Sequence, residues 1–198
     1  GWMACSNPAD NVPAAAVAEP VEAPAAPVEG AAQVFTLAEG TTIGFIGSKI
    51  TGSHDGGFHG FDGEITLIDG EPVGSSILLN IDTTSIWTDA DKLTGHLMSA
   101  DFFDIENHPT ATFSSTEIAA ADEGYTVTGN LNLHGITHSI TFPATIEVGP
   151  DGVKANAEFS LMRFDFDLVY PGKPDDLIRD EVVVKFDLVA VPAGGGDA

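Results

Sequence analysis

From Gln33 to Ala190 apolar and polar residues alternate almost one for one, in runs separated by Gly, Asp, Asn and Pro. That two-residue period limits the possible folds more than any other property of the chain. Successive side chains of a strand point to opposite faces, so each run has one apolar and one polar side. Tyr125, Val127, Gly129, Leu131 and Leu133 share one face, and Thr126, Thr128, Asn130 and Asn132 share the other. The same period runs through Ile136 to Phe142, through Phe159 and Leu161, and through Val182, Val184, Phe186 and Leu188 opposite Lys185 and Asp187. Strands wetted on one side are antiparallel, and a barrel or a sandwich buries their dry faces. The runs fall at 33–38, 41–50, 57–69, 74–82, 110–119, 124–134, 137–148 with 153–163, and 180–190, which makes about eight strands, or about nine if the seventh is split. Between Gly56 and Gly63 glycines alternate with His59, Phe58 and Phe61. Glycine there bends a strand into a curved sheet or lets a ligand approach its backbone.

One segment departs from the alternation. Lys92, Leu93, His96 and Leu97 recur at helical spacing, which predicts a short capping helix near 90–99 with Asp89 or Asp91 accepting the first backbone N–H groups. Just beyond, Phe102 and Phe103 are boxed by Asp101 and Asp104. The rings need burial and the carboxylates need water or donors, so this segment is expected to close the end of an apolar interior.

Seven Lys and Arg against 30 Asp and Glu give a formal charge of -23. Such a field repels phosphate backbones, which excludes nucleic acid as a partner. Cys5 is the single cysteine, so no internal disulfide forms. Residues 1–32 are mostly Ala, Pro, Val, Glu and Gly, a composition expected to give a disordered, solvated tether. Ala4-Cys5 is similar to the end of a bacterial lipoprotein signal, which makes Cys5 a candidate lipidation site. The resulting expectation is a domain over 33–190 with a flexible tail at 191–198. It is held in the bacterial envelope, periplasmic or outer surface, and touches a membrane only through its anchor.

Six histidines invite a metal reading, but no two have the spacing of a zinc motif. His54 and His59 fall in a Gly-rich loop, His96 on the helix, His108 before a proline, and His134 and His138 at a turn and strand start. Neither Asp89/Asp91 nor Asp175/Asp176 has the spacing of a calcium loop. Without a Gly-x-Ser-x-Gly turn no nucleophile presents itself. The expectation is no metal, no cofactor and no enzymatic activity, with a metal-assisted enzyme using His54, His96 or His134 as the least favoured reading.

The inward faces carry Phe45, Leu79, Ile81, Phe113, Val127, Leu131, Ile140, Phe142, Phe159, Leu161, Val184 and Phe186. A barrel of about eight strands either fills with such side chains or leaves a slot for one elongated apolar ligand. Arg163 continues the alternation of Phe159 and Leu161 and is expected inside, near a barrel end. There it would pair with Asp101, Asp104 or Asp180, or bind a ligand head group.

The motifs resemble the YceI-like family of bacterial periplasmic proteins. They run from Ser48-Lys49-Ile50-Thr51-Gly52-Ser53-His54-Asp55-Gly56-Gly57-Phe58 and Phe61-Asp62-Gly63-Glu64-Ile65 through Ile81-Asp82-Thr83-Thr84-Ser85-Ile86. The most specific part is His96-Leu97 with Ser99, Asp101-Phe102-Phe103 and then Pro109-Thr110-Ala111-Thr112-Phe113. Gly129-Asn130-Leu131, His134-Gly135-Ile136-Thr137, Arg163 with Phe166, and Asp175 to Val182 complete the match. Asp167 stands where the family usually has glycine, which predicts altered local geometry beside Arg163.

This resemblance implies an all-β fold, an extended antiparallel eight-stranded lipocalin-like barrel. Its implied ligand is a polyisoprenoid or isoprenoid quinone held in an apolar channel. The expected ligand-binding residues are Phe45, Leu79, Ile81, Phe102, Phe103, Phe113, Val127, Leu131, Phe142, Phe159, Leu161, Arg163 and Phe186. His96 and Asp101 are expected at the head group or in a structural polar role. The alternative is a filled-core structural or interaction module of the envelope, and a homodimer is compatible with either.

Overall fold

Half-buried alternation is satisfied by a sheet that closes on itself, and the computed structural model, which describes residues 6–22 and 29–194, has that form. The strands are β1 (Ala16–Ala18), β2 (Ala32–Leu37), β3 (Thr42–Lys49), β4 (Gly52–Phe58), β5 (Phe61–Ile68), β6 (Glu71–Asp82) and β7 (Ile86–Thr88). After the helix α1 (Asp91–Met98) come β8 (Thr110–Ala120), β9 (Tyr125–Leu133), β10 (Ile136–Gly149), β11 (Gly152–Met162), β12 (Gly172–Lys173), β13 (Asp176–Leu177) and β14 (Glu181–Pro192). Antiparallel pairing runs β10, β9, β8, β6, β5, β2, β14, and β11 joins β14 back to β10. β2 and β3 are successive halves of one bent strand along β14, and β4 and β5 are halves of another. The ring therefore has eight long strands, as in a lipocalin-like barrel.

Register carries the inward faces to one interior. Leu79 lies opposite Phe113, Phe113 opposite Leu131, Phe159 opposite Val184, and Phe186 between Ala157 and Ile43. Gly129 is the small member of its apolar face for a steric reason. A Cβ there would stand 2.5 Å from Cζ of Phe113 and 2.7 Å from the Ser114 carbonyl oxygen. The glycine at 56 serves its neighbour in the same way, since a Cβ would lie 2.5 Å from Cζ of Phe45.

Two expectations are corrected. The first is the tether: Pro8–Asn11 forms a 3-10 turn capped by Asn7, and β1 pairs antiparallel with Ser139–Thr141 of β10. β10 and β11 pair with each other only from Thr145 to Gly149 and from Gly152 to Asn156. Past that point the upstream chain lies between them, with Ala15 N–H donating to Ser160 O at 2.9 Å and Ser160 N–H to Pro13 O at 2.9 Å. A segment rich in Ala and Pro supplies wall here because its backbone finds two strands without partners on their facing edges. Cys5 lies outside the described residues.

The second concerns the helix start. Ala90 occupies the N-cap with no side-chain bond, while Asp89 is engaged elsewhere. The chain entering the helix is held by Thr94 Oγ1, which accepts the Thr88 N–H at 3.0 Å, and by Thr88 Oγ1, which donates to Ala90 O at 2.9 Å. The tail boundary moves as well, since β14 continues through Val191 and Pro192; residues 195–198 lie outside the described residues.

Gly129→Val is expected to lower stability by about 1–3 kcal/mol through forced displacement of Phe113. Urea unfolding should show a lower midpoint at unchanged slope. An unchanged midpoint would contradict the packing described.

Candidate functional site

Apolar side chains fill one half of the barrel and line a hollow in the other. Phe113, Phe142, Phe159 and Phe186 form the plug, with Phe142 stacked on Phe159 at 4.2 Å between ring centroids and Phe159 edge-on to Phe186 at 5.8 Å. Above it a cavity of about 410 Å³ opens toward the end covered by α1 and the Phe102–Phe103 segment. That volume lies within the range of about 300–1,000 Å³ usual for small-molecule sites.

The inward set therefore divides by depth. Phe159, Phe186, Leu161, Leu131 and Ile81 line the floor and walls, and Phe45, Phe102 and Phe103 line the upper part. Leu79, Phe113, Val127 and Phe142 are buried in the plug below and do not line the cavity. Alternation reports which face a side chain is on, but not its height along the barrel axis.

The lid is built from rings. Phe103 lies 5.9 Å from Phe58 and 6.4 Å from Phe45, and Phe102 lies 5.2 Å from Tyr170 and 5.1 Å from the imidazole of His96. His96 Nε2 and Asp101 Oδ2 are 2.9 Å apart. His96 lines the cavity, whereas Asp101 is exposed and orients the imidazole from outside. Phe58, Tyr170, Leu93 and Ile178 also line the cavity. Sequence reasoning missed Leu93, Tyr170 and Ile178 because α1 and the 163–180 loops, unlike strands, have no two-residue period to read, and Phe58 because it ends β4 in a run of glycines.

Cationic groups gather at this end of an otherwise acidic chain. Lys49, Arg163 and Lys173, three of the seven Lys and Arg, line the cavity together with His54 and His96. Lys49 is bonded to Asp176, which also accepts from Thr51 Oγ1 at 2.9 Å, so the β3–β4 turn is strapped to the β12–β13 hairpin. The Lys49 ammonium, and then Thr51, hold the Asp176 carboxyl below its ordinary value. Across the mouth His54 Nδ1 lies 2.7 Å from Asp89 Oδ1; this bond, with the Asp55 N–H, lowers the Asp89 carboxyl likewise. Ser48 also lines the cavity, and its buried hydroxyl finds no hydrogen-bond partner among the described residues.

Arg163 is buried at 5% exposure, and its donors are directed to backbone. Nε donates to Arg179 O at 3.0 Å, Nη1 donates to Leu168 O, and Nη2 reaches Ile178 O and Asp180 Oδ1, each at 3.4 Å. Of the three carboxylates considered, Asp180 is the one it meets. Burial pulls the guanidinium below its ordinary value and the Asp180 charge opposes that shift. Asp167, at the glycine position of the resemblance, adopts φ +56 and ψ +25 and closes the 3-10 turn Arg163–Phe166. This is left-handed geometry, which glycine adopts freely and aspartate is among the residues that tolerate.

A barrel half filled and half hollow, matched over residues 36–190 by the model of the YceI-like domain, decides the family. The chain belongs to the YceI-like family. A UPF0312 protein of Pseudomonas putida (strain W619) is 35% identical over 137 residues, which cover 66% of this chain and 71% of the relative. Among solved structures, Burkholderia cenocepacia BcnA superposes with a TM-score of 0.68 at 24% identity, covering 76% of this chain and 96% of BcnA. A polyisoprenoid binding domain from Saccharophagus degradans implicated in plant cell wall breakdown superposes with a TM-score of 0.65 at 18% identity, covering 82% of this chain and all of that domain. At these identities the structural likeness shows the YceI-like barrel and nothing finer.

The lowered Asp176 carboxyl fixes the sign of a pH effect. A group with a depressed folded pKa stabilises fully above its unfolded value of about 3.9 and loses that contribution as pH falls through the folded value. The strap is expected to hold from neutral pH to about 4 and to open below. Amide exchange across 172–177 at descending pH should show this step in the parent chain and not in Asp176→Asn. Identical pH profiles would refute the strap.

Proposed function

We propose that the barrel binds one long apolar lipid, of the polyisoprenoid or isoprenoid quinone class, with its tail in the cavity and its head toward Ser48, His96 and Lys173. The observation that carries this reading is the cavity of about 410 Å³ walled by Phe45, Ile81, Leu131, Leu161 and the Phe103 lid. Each CH2 taken from water into such a site gains about 0.8 kcal/mol, so a chain of many carbons needs few polar contacts. The solved YceI-like neighbour described as a polyisoprenoid binding domain supports the ligand class. Arg163 is assigned to holding the loops, because its donors are already committed to carbonyls and Asp180.

The reading extends to a non-enzymatic carrier or store in the bacterial envelope, lipid-anchored through Cys5, with pairing into a homodimer as a further element. The acidic composition supports solvation of the outer face. No helix among the described residues is long and apolar enough to cross a membrane.

Gly47 offers a clean test. It lines the cavity on the face shared with Phe45 and Lys49, and a Cβ there meets nothing within 4 Å. Gly47→Trp is expected to fill the cavity with little loss of stability. Native mass spectrometry of protein purified from a bacterial envelope should show a bound lipid in the parent chain and none in the variant. A prenyl ligand should displace an apolar dye from the parent alone. Absence of lipid and of displacement in the parent would favour the filled interaction module instead.

A further inference from the structure

Asp104 and His108 share one turn and His134 lies on a distant hairpin, yet one donor atom of each lies within 4.8 Å of the other two. The lipid-binding reading does not use them, and linear spacing gave no reason to group them. We propose that this trio is a binding site for a late first-row divalent metal ion such as zinc, which ties the aromatic lid to the β9–β10 hairpin.

The backbone around each ligand is set for that task. Asp104 O accepts from His108 N–H at 2.8 Å, forming one turn that presents both side chains on the same side. His108 is fixed again from behind, its carbonyl accepting from Thr83 Oγ1 at 2.7 Å. His134 and Gly135 form the two-residue turn between β9 and β10, at φ +52 and +76. Asn-Gly or Asp-Gly would satisfy such a turn, so the imidazole adds something the turn does not require. His134 Nδ1 lies 3.1 Å from Phe166 O. A carbonyl only accepts, so Nδ1 carries the proton and Nε2 keeps its lone pair, the arrangement usual for a metal-bound histidine. Asp104 Oδ2 accepts from Asn107 Nδ2 at 2.8 Å, which orients the second kind of ligand in the same way.

Gly135 explains how the two rings meet. A Cβ at Gly135 would stand 2.7 Å from Cε1 of His108, so the missing side chain admits that ring to within 4.7 Å of His134, centroid to centroid. Metal–ligand bonds of about 2.0–2.2 Å need donors about 3–4 Å apart, a closure of at most about 1 Å per side chain. Two imidazoles and one carboxylate favour zinc, copper, nickel or cobalt over calcium or magnesium. The remaining coordination positions go to water. Because Asp104 follows Phe103 directly, an ion here holds the lid against the hairpin.

The test uses the full chain, freed of lipid and of metal by chelator, so that its outcome is independent of the lipid-binding reading. Isothermal titration with Zn2+ should show one ion per chain, and Co2+ should give visible d–d absorption. Mg2+ should do neither. His134→Asn, which suits the left-handed turn, and His108→Phe should each weaken Zn2+ binding at least about tenfold, while His54→Asn should not. Zn2+ should also slow amide exchange at Phe103 and Asp104. No saturable binding up to millimolar Zn2+, or equal binding in both histidine variants, would overturn the site. Unchanged exchange with the ion bound would overturn its hold on the lid.

Discussion

One buried cation organises the hollow end of this barrel. Arg163 gathers the carbonyls of Leu168, Ile178 and Arg179 and the carboxylate of Asp180, drawing together loops with no pairing pattern of their own. A guanidinium suits the task because its donors are fixed in a plane and its charge strengthens each bond to a carbonyl. Those loops carry Tyr170 and Ile178 to the cavity, and the 3-10 turn from Arg163 to Phe166 presents Asp165 O and Phe166 O to His138 and His134. With the charge removed, the carbonyls would be left buried without partners, a more costly state than an apolar gap.

The interior is graded along its length. Four phenylalanines pack the lower barrel at aromatic contact distances, so that part behaves as an ordinary core. Toward α1 the side chains line space instead of filling it. The plug stabilises the closed sheet, and the open end can then remain unfilled without loss of the fold. Lid and plug use the same residue type for opposite ends: rings at the bottom exclude all guests, and rings at the top cover one.

Strands with one wet face were legible in the sequence. β9, β10 and β14 follow the alternation read from Tyr125 to Leu133, Ile136 to Phe142 and Val182 to Leu188. The helix was legible too, although its cap was not, because Ala90 holds the N-cap without a side-chain bond and Asp89 pairs with His54 instead. β1 was hidden by its composition, since Ala16-Val17-Ala18 pairs through backbone groups that every residue has. Arg163 was read correctly as inward, but its partners are mostly carbonyls, which leave no trace in residue identity. The split between Leu79, Phe113, Val127 and Phe142 below and Ile81, Leu131 and Leu161 above depends on height along the axis, to which a two-residue period is blind.

The upstream chain, laid between β10 and β11, also has a mechanical meaning. Its backbone bonds to Ser160 and to Ser139–Thr141 follow one another along the strand, each lying across its axis. Tension applied upstream of residue 13 and directed along the strand is therefore borne as shear across several bonds at once instead of peeling them singly. Such a load falls first on the seam where the upstream chain meets β10 and β11.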